Sequence, residues 1–418
     1  MAGKPCLLVV KGKGGIGVEK LCDSLSTIAE LILVNVHTGK SPLEASHDRA
    51  RAALNGRGTL IPIGSYEASG EVLDALDSRQ VDGILTGSEF CLMMTAQIAE
   101  TLGLRHASPD VVARVRDKYA QRAALQAAGV PCPAFARITR PDDLEPAMEA
   151  VPFPAVIKPD RGAGGFDTYQ VDSEEELRRV YATSYENEKD LGFYGRPEFI
   201  LEELLVGVRW MHDPRWGDYA SVETFIVDGE PHHFCITDRT PLAKPFRETG
   251  VILPTSLPPD RAAELHACAT DAIRALGIDH GATHTEMKFT PDGPRIIEVN
   301  ARLGGHLGYI FEDATDCNIV VELGRLALGE MPRTEFDFKR FSSWFFITPP
   351  QSDAPVRACG LDRIADIPNV RALTLSNAET FDWHQGEAGD AGMVTATAAN
   401  AGELLETRER ILETVRFE

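Results

Sequence analysis

The chain has 418 residues, 43% of them hydrophobic and 25% charged, a composition that suits a soluble globular protein of roughly two to four domains. Its 42 lysines and arginines against 63 aspartates and glutamates give a net charge of −21, so no basic excess exists to neutralise a nucleic-acid backbone. A small anionic ligand stays compatible, because it needs only a local cluster of cations.

The eight cysteines, at 6, 22, 91, 132, 235, 268, 317 and 359, form no CxxC pair. They read as free buried thiols of a reducing cytoplasm, not as a zinc ribbon or a thioredoxin-type motif. The start, MAGKPCLLVV, lacks the apolar stretch and cleavage site of a signal peptide. No run of about 18 apolar residues is present, so a cytoplasmic chain without a membrane partner is expected.

Residues 1–108 alternate strand and helix. CLLVVKG, LILVNVH, GTLIPIG and VDGILTG are four apolar strands separated by polar or helical segments, which predicts a doubly wound parallel sheet. The first strand runs into Gly12, Gly14 and Gly17, which satisfy G-x-G-x-x-G. No acid ends the second strand, which closes on Asn35-Val36-His37, and Val18-Glu19 stand where a P-loop needs Lys and Ser or Thr. The glycines are therefore expected to form a structural turn.

From Ser108 a helical stretch runs to Gly129, with Ser108 as N-cap and Pro109 in the first turn. The strand FPAVIKP, the glycine loop 160–166 and the strand DTYQV follow, then the helix SEEELRRVYATSYENE and the strand-like run FILEELL. Residues 207–220 are a polar and aromatic insertion. SVETFIVDG and EPHHFCITD are strands joined at Asp228-Gly229, and PDRAAELHACATDAIRALGI is an amphipathic helix.

Residues 281–306 carry the most chemistry. ATHTEMKF and PRIIEVNA flank Pro291-Asp292-Gly293 as a hairpin. Strict alternation places His284, Glu286 and Lys288 on one face, joined by Glu298, Asn300 and Arg302, and places Ile297, Val299 and Ala301 on the other. Two carboxylates and an amide beside a cation make a hard oxygen site, of the kind Mg²⁺ takes when substrate phosphates complete its shell. The tail from 331 to 418 reads as a separate small α+β unit with strands SSWFFIT, VRALTLS and GMVTATA and a final amphipathic helix.

Taken in order, VRDKYAQRAALQAAGVPCP, AVIKPDRGAGGFDTY, FILEELL, SVETFIVDG, THTEMKF and IIEVNARLGG resemble the signature of the ATP-grasp superfamily over roughly residues 110–325. Within it they look most like ATP-dependent, dipeptide-forming amino-acid ligases. The resemblance implies an N-terminal βαβ domain (1–108), an ATP-grasp domain (109–330) with a lid at about 134–204, and the tail helping to close the site. It implies ATP as substrate, with Mg²⁺ or Mn²⁺, two ions, on Glu286, Glu298 and Asn300.

Lys118 and Lys158 then supply charge to nucleotide phosphates, and Gly162, Gly164 and Gly165 close backbone N–H groups over them. The resemblance also implies an adenine hinge at Glu202, Glu203, Leu204 and Leu205, and a phosphate-side carboxylate at Glu223. Arg209 stands near where relatives carry a ribose-binding acid. Arg302 is assigned to the acyl phosphate and oxyanion, with His284, Gly304, Gly305 and His306 at the substrate. Trp210, Trp216 and Phe246 are candidate walls of the substrate pocket. The expected reaction joins a small-molecule carboxylate to an amine through an acyl phosphate; homodimer formation stays open. A purine-biosynthesis or biotin-carboxylase-like enzyme is the alternative, and a nonenzymatic nucleotide-binding protein a further one.

Overall fold

The computed structural model describes residues 3–38, 43–162, 164–191, 198–244, 246–352 and 354–418, without the side chains of 43, 44, 187–191 and 388. Ala163 of the glycine loop and Pro245 of the 240–250 loop thus lie outside the described residues. Strands β1 (Cys6–Lys11), β2 (Glu30–Val36), β3 (Gly58–Ile63) and β4 (Gly83–Thr86) form a parallel sheet in the order β3-β2-β1-β4. The predicted parallel sheet is present because these runs are apolar on both faces. Leu8 and Val10 pack into one cluster, while Leu7 and Val9 pack into another shared with the rest of the molecule.

The expected single helix from Ser108 is two helices, Pro109–Arg116 and Lys118–Ala127. Asp117 breaks the run: its backbone is extended, and its carboxylate caps the second helix by accepting from the Ala120 N–H at 2.7 Å. The break starts the second helix at Lys118. The Lys118 N–H donates to the Asp160 carbonyl, which ties this helix to the strand before the glycine loop.

The segment expected as the lid folds as an antiparallel sheet of β5 (Phe135–Ile138), β6 (Ala155–Pro159), β7 (Tyr169–Val171) and β8 (Phe199–Glu203), ordered β5-β8-β6-β7. A larger antiparallel sheet begins with β9 (Tyr219–Val227), β10 (Glu230–Arg239), β11 (Gly250–Leu253), β12 (Gly281–Thr290) and β13 (Gly293–Asn300). It continues through β14 (Phe341–Ile347), while β15 (Ala358–Cys359) lies outside it. Strands β16 (Val370–Leu375) and β17 (Gly392–Ala398) complete eight strands in the order β13-β12-β9-β10-β11-β14-β17-β16.

The tail is therefore not a separate unit. Strand β11 pairs with β14, so the tail extends the central sheet, and the core of Ile252, Phe345, Val394 and Leu404 spans both segments. No helix among the described residues is long and apolar enough to cross a membrane.

The β12–β13 hairpin departs from strict alternation. Glu286 pairs with Glu298 but Met287 pairs with Ile296, so one extra residue is inserted at Ile297. Ile296 thereby takes the core position beside Met287 and Phe289, and Ile297 turns onto the same side as Glu298. The expectation that Ile297 faces away from the polar site is corrected by this bulge.

Candidate active site

A cavity of about 490 Å³ lies between the lid sheet and the large sheet. That is within the usual range for a small-molecule site. Lid residues Lys158, Gly162, Gly164, Gly165 and Glu202 to Leu205 line one side, and His284, Glu286, Glu298, Asn300 and Arg302 line the other. Lys118, Gly305 and His306 also reach it. Glu223 and Gly304 stand one layer behind: the Gly304 N–H donates to Glu223 at 3.2 Å, and Glu223 also binds His284 Nδ1.

The charges are paired before any ligand enters. Lys118 Nζ is 2.9 Å from Glu298 and donates to the Gly162 carbonyl at 3.2 Å. Burial works against its charge, but Glu298 outweighs this and holds its pKa above the usual lysine value. Lys158 Nζ sits 2.7 Å from Glu202, whose other oxygen is 2.9 Å from the Arg122 guanidinium. Burial pulls Lys158 downward, and Arg122 and Lys158 together keep Glu202 ionised against its own burial. The Glu202 carboxylate is thus held by two cations, and Glu203 by the Arg295 fork at 2.9 Å on both oxygens.

His284 donates to two carboxylates, Glu223 at Nδ1 and Glu286 at Nε2, the latter at 3.1 Å. Burial opposes its charge, yet the two acids raise its pKa to about 9, which favours the protonated ring at neutral pH, while Arg239 Nη2 also lies 3.1 Å from Nε2. Glu286 is held near about 2: burial opposes ionisation, and His284, Arg239 and Arg302 overcome it. Arg302 lies 3.4 Å from Glu89 of the N-terminal domain, a half-buried contact that fixes the arginine at the domain junction.

The donor set fits a divalent ion only in part. Glu286 and Glu298 face each other across the hairpin and Asn300 follows, a hard oxygen set. Among the described residues no group of three His, Cys, Asp or Glu side chains is arranged to hold a metal by itself. Further oxygens, such as substrate phosphates, are needed to complete a shell.

Two expected walls are elsewhere. Trp216 is buried in the core with Ile252 and Phe345, and Trp210 stacks on Phe289 at 4.3 Å under Arg261. Phe246 does line the cavity. Arg209 is exposed and away from it.

Several cavity residues had no signal in the pattern. Arg239 is fully buried at the end of β10, bound to Glu248 at 2.6 Å and to Ser221 at 2.6 Å. A charged residue closing an apolar strand was the available hint. Gly14 and Gly15 also line the cavity, so the glycine turn of β1 forms part of its wall. Its Gly17 N–H donates to the Tyr309 hydroxyl at 2.9 Å, across the domain junction.

The ATP-grasp domain family matches residues 151–309. Alanine–anticapsin ligase of Bacillus subtilis is 32% identical over 244 residues, covering 56% of this chain and 51% of that protein. This chain therefore spans about half the length of that relative. The solved L-amino acid ligase of Bacillus licheniformis superimposes with a TM-score of 0.77 at 20% identity, covering 100% of this chain and 99% of that one. The biotin carboxylase domain of Hydrogenobacter thermophilus 2-oxoglutarate carboxylase, solved with MgADP, gives 0.70 at 18% identity over 99% of this chain and 90% of that one. Residues 151–309 are thus an ATP-grasp domain, and the chain resembles ATP-grasp amino-acid ligases.

Proposed function

We propose that the chain is an ATP-dependent carboxylate–amine ligase that activates an amino-acid-type carboxylate and joins it to an amine, releasing ADP and phosphate. The observation that carries this is convergence. Buried Lys118, half-buried Lys158, the Glu286–Glu298 pair and Arg302 meet in one cavity, with the lysines toward the lid and Arg302 at the N-terminal domain. The likeness to amino-acid ligases supports the same reading, against the purine-biosynthesis and biotin-carboxylase-like alternatives.

In this reading Lys118 and Lys158 bind the nucleotide phosphates from the lid side, and the 162–165 loop covers them through backbone N–H groups. Residues 202–205 form the base-binding hinge. Glu286, Glu298 and Asn300 would hold Mg²⁺, which supplies charge neutralisation on the phosphates. Phosphate entry releases Lys118 from Glu298 and frees that carboxylate for the ion. The substrate carboxylate attacks the γ-phosphorus, and Arg302 steadies the acyl phosphate and then the oxyanion formed when the amine attacks. His284, held as a cation by Glu223, orients Glu286, and Gly305 and His306 border the substrate.

The test is ADP release by the full chain with Mg²⁺, with and without an equimolar mixture of the proteinogenic amino acids, followed by mass spectrometry of the products. Amino-acid-dependent ADP release with a new amide mass is expected. ADP release that depends on bicarbonate instead would move the chain to the carboxylase class, and none under any condition would sink the enzyme reading.

A further inference from the structure

Among the described residues six carboxylates line the cavity: Glu202, Glu203, Glu248, Glu286, Glu298 and Glu387. Five are committed to cations, namely Glu202 to Lys158 and Arg122, Glu203 to Arg295, Glu248 to Arg239, Glu286 to His284, and Glu298 to Lys118. Glu387 is different. Among the described residues its carboxylate has no hydrogen-bond or ion-pair partner.

Its position is built, not incidental. The segment Trp383–Gly389 is anchored by Arg247, which donates to the Trp383 carbonyl at 2.7 Å and to Asp390 at 2.6 Å, with both side chains of that pair buried. The segment then meets the lid at two glycines. A Cβ on Gly386 would lie 3.0 Å from the Gly164 carbonyl oxygen, and one on Gly164 would lie 3.3 Å from the Glu387 carboxyl carbon. Both glycines have positive φ, +61° and +70°. The tail and the lid loop therefore close on each other and hold Glu387 at the cavity wall, with its side chain exposed.

We propose that Glu387 takes the proton from the incoming ammonium group and so makes the amine nucleophilic in the second half of the reaction. This rests on the ligase reading above. An amine arrives as R–NH₃⁺, with no lone pair to attack. One proton passes to the Glu387 carboxylate. The freed nitrogen lone pair forms the C–N bond to the acyl carbon, and the C–O bond to phosphate breaks with its electron pair leaving on phosphate. The second nitrogen proton goes to the departing phosphate, and Glu387 returns its proton to solvent.

The other candidate acceptor is His306, whose ring Nε2 is buried and unpartnered. Burial and the surrounding Arg239, His284 and Arg302 charges all oppose a proton there and hold its pKa well below the histidine range. Glu387 faces a balanced set. Desolvation, Glu248 and Asp390 raise its pKa, Arg302 and Arg247 lower it, and it stands at about 7, suited to exchanging a proton near neutrality.

The test separates the two half-reactions in the full chain. The probes are ATP, Mg²⁺ and an equimolar mixture of the twenty amino acids, with or without hydroxylamine. Hydroxylamine is largely unprotonated at neutral pH and traps an acyl phosphate as a hydroxamate without help from a base. E387Q keeps the shape and breaks no ion pair, so its fold should hold. E387Q is expected to form hydroxamate and ADP within about two-fold of wild type and to lose amide formation by on the order of 10²–10³. That loss should shrink as pH rises and free amine accumulates. Equal loss of hydroxamate and amide, or loss of neither, overturns the assignment to Glu387. Absence of hydroxamate from the wild-type chain overturns the ligase reading itself, and the proton-transfer role with it.

Discussion

At the scale of single residues, the cavity is a set of cations and carboxylates that neutralise one another. Breaking one pair by removing one partner leaves the other buried and uncompensated, which is the costly direction. Glu298 is a milder case, since its side chain is partly exposed and its partner Lys118 keeps the Gly162 carbonyl. Glu298→Gln should therefore leave the fold intact while removing one ligand of the proposed ion. ATP turnover should be abolished at saturating Mg²⁺, with a still cooperative but somewhat lowered thermal melt because Lys118 loses its carboxylate partner; near-wild-type ADP release would remove Glu298 from the ion site. In the proposed reaction Arg302 acts later. Arg302→Ala should bind ATP almost normally by calorimetry and lose product formation by on the order of 10²–10³, the cost of one oxyanion-stabilising donor. Lysine should rescue it only in part, because it lacks the planar fork. Equal loss of nucleotide binding and product would make Arg302 a nucleotide ligand.

At the scale of elements, two breaks in regularity position the chemistry, and neither was legible in the sequence. Apolar runs and turn residues were enough to find the strands of the parallel sheet, the lid and the hairpin. They were enough too to bring Glu286, Glu298 and Asn300 together, since period-2 alternation and a Pro-Asp-Gly turn carry that information locally. The bulge at Ile297 depends on packing Ile296 against Met287, and the helix break at Asp117 depends on a distant carbonyl at Asp160. Non-local partners leave no spacing to read. Glu387 and Arg239 escaped for the same reason, as did the cavity role of the glycine turn after β1. That turn can be tested by contrast. Gly14 and Gly15 both have positive φ, +74° and +65°, but a Cβ on Gly14 meets nothing while one on Gly15 would lie 1.8 Å from the Gly87 carbonyl oxygen. Gly14→Ala should cost only the left-handed backbone, about 1–2 kcal/mol in urea unfolding. Gly15→Ala should cost clearly more and disturb the β1–β4 junction. Equal midpoints for the two variants would show that the turn adjusts freely.

At the scale of the whole molecule, one sheet joins the central segment and the tail, so stability is shared. Buried acids on that sheet give it a particular pH dependence. Asp238 is fully buried on β10, accepting from the Thr255 hydroxyl and the Ser256 N–H, each at 2.6 Å. Burial pushes its carboxyl up to about 7, and these two donors only partly offset it. Asp390, beside Arg247, is likewise pushed up to about 7 by burial. For an acid whose folded pKa lies above its unfolded value of about 4, the folded state holds a proton that the unfolded state has released. Such a group contributes stability fully below about pH 4 and loses it as pH rises through about 7. These two acids should therefore lower the chain's stability as pH rises from about 4 to about 7, opposite in sign to acids whose pKa is depressed. Asp238→Asn cannot ionise and keeps one acceptor oxygen. Its stability relative to wild type should rise by on the order of 2–4 kcal/mol between pH 4 and pH 8. Asp390 titrates in both chains and cancels from that difference. Urea unfolding of both chains across this range is the measurement. A pH-independent difference between the two would mean that Asp238 is ionised in the folded chain throughout, with its two donors outweighing its burial.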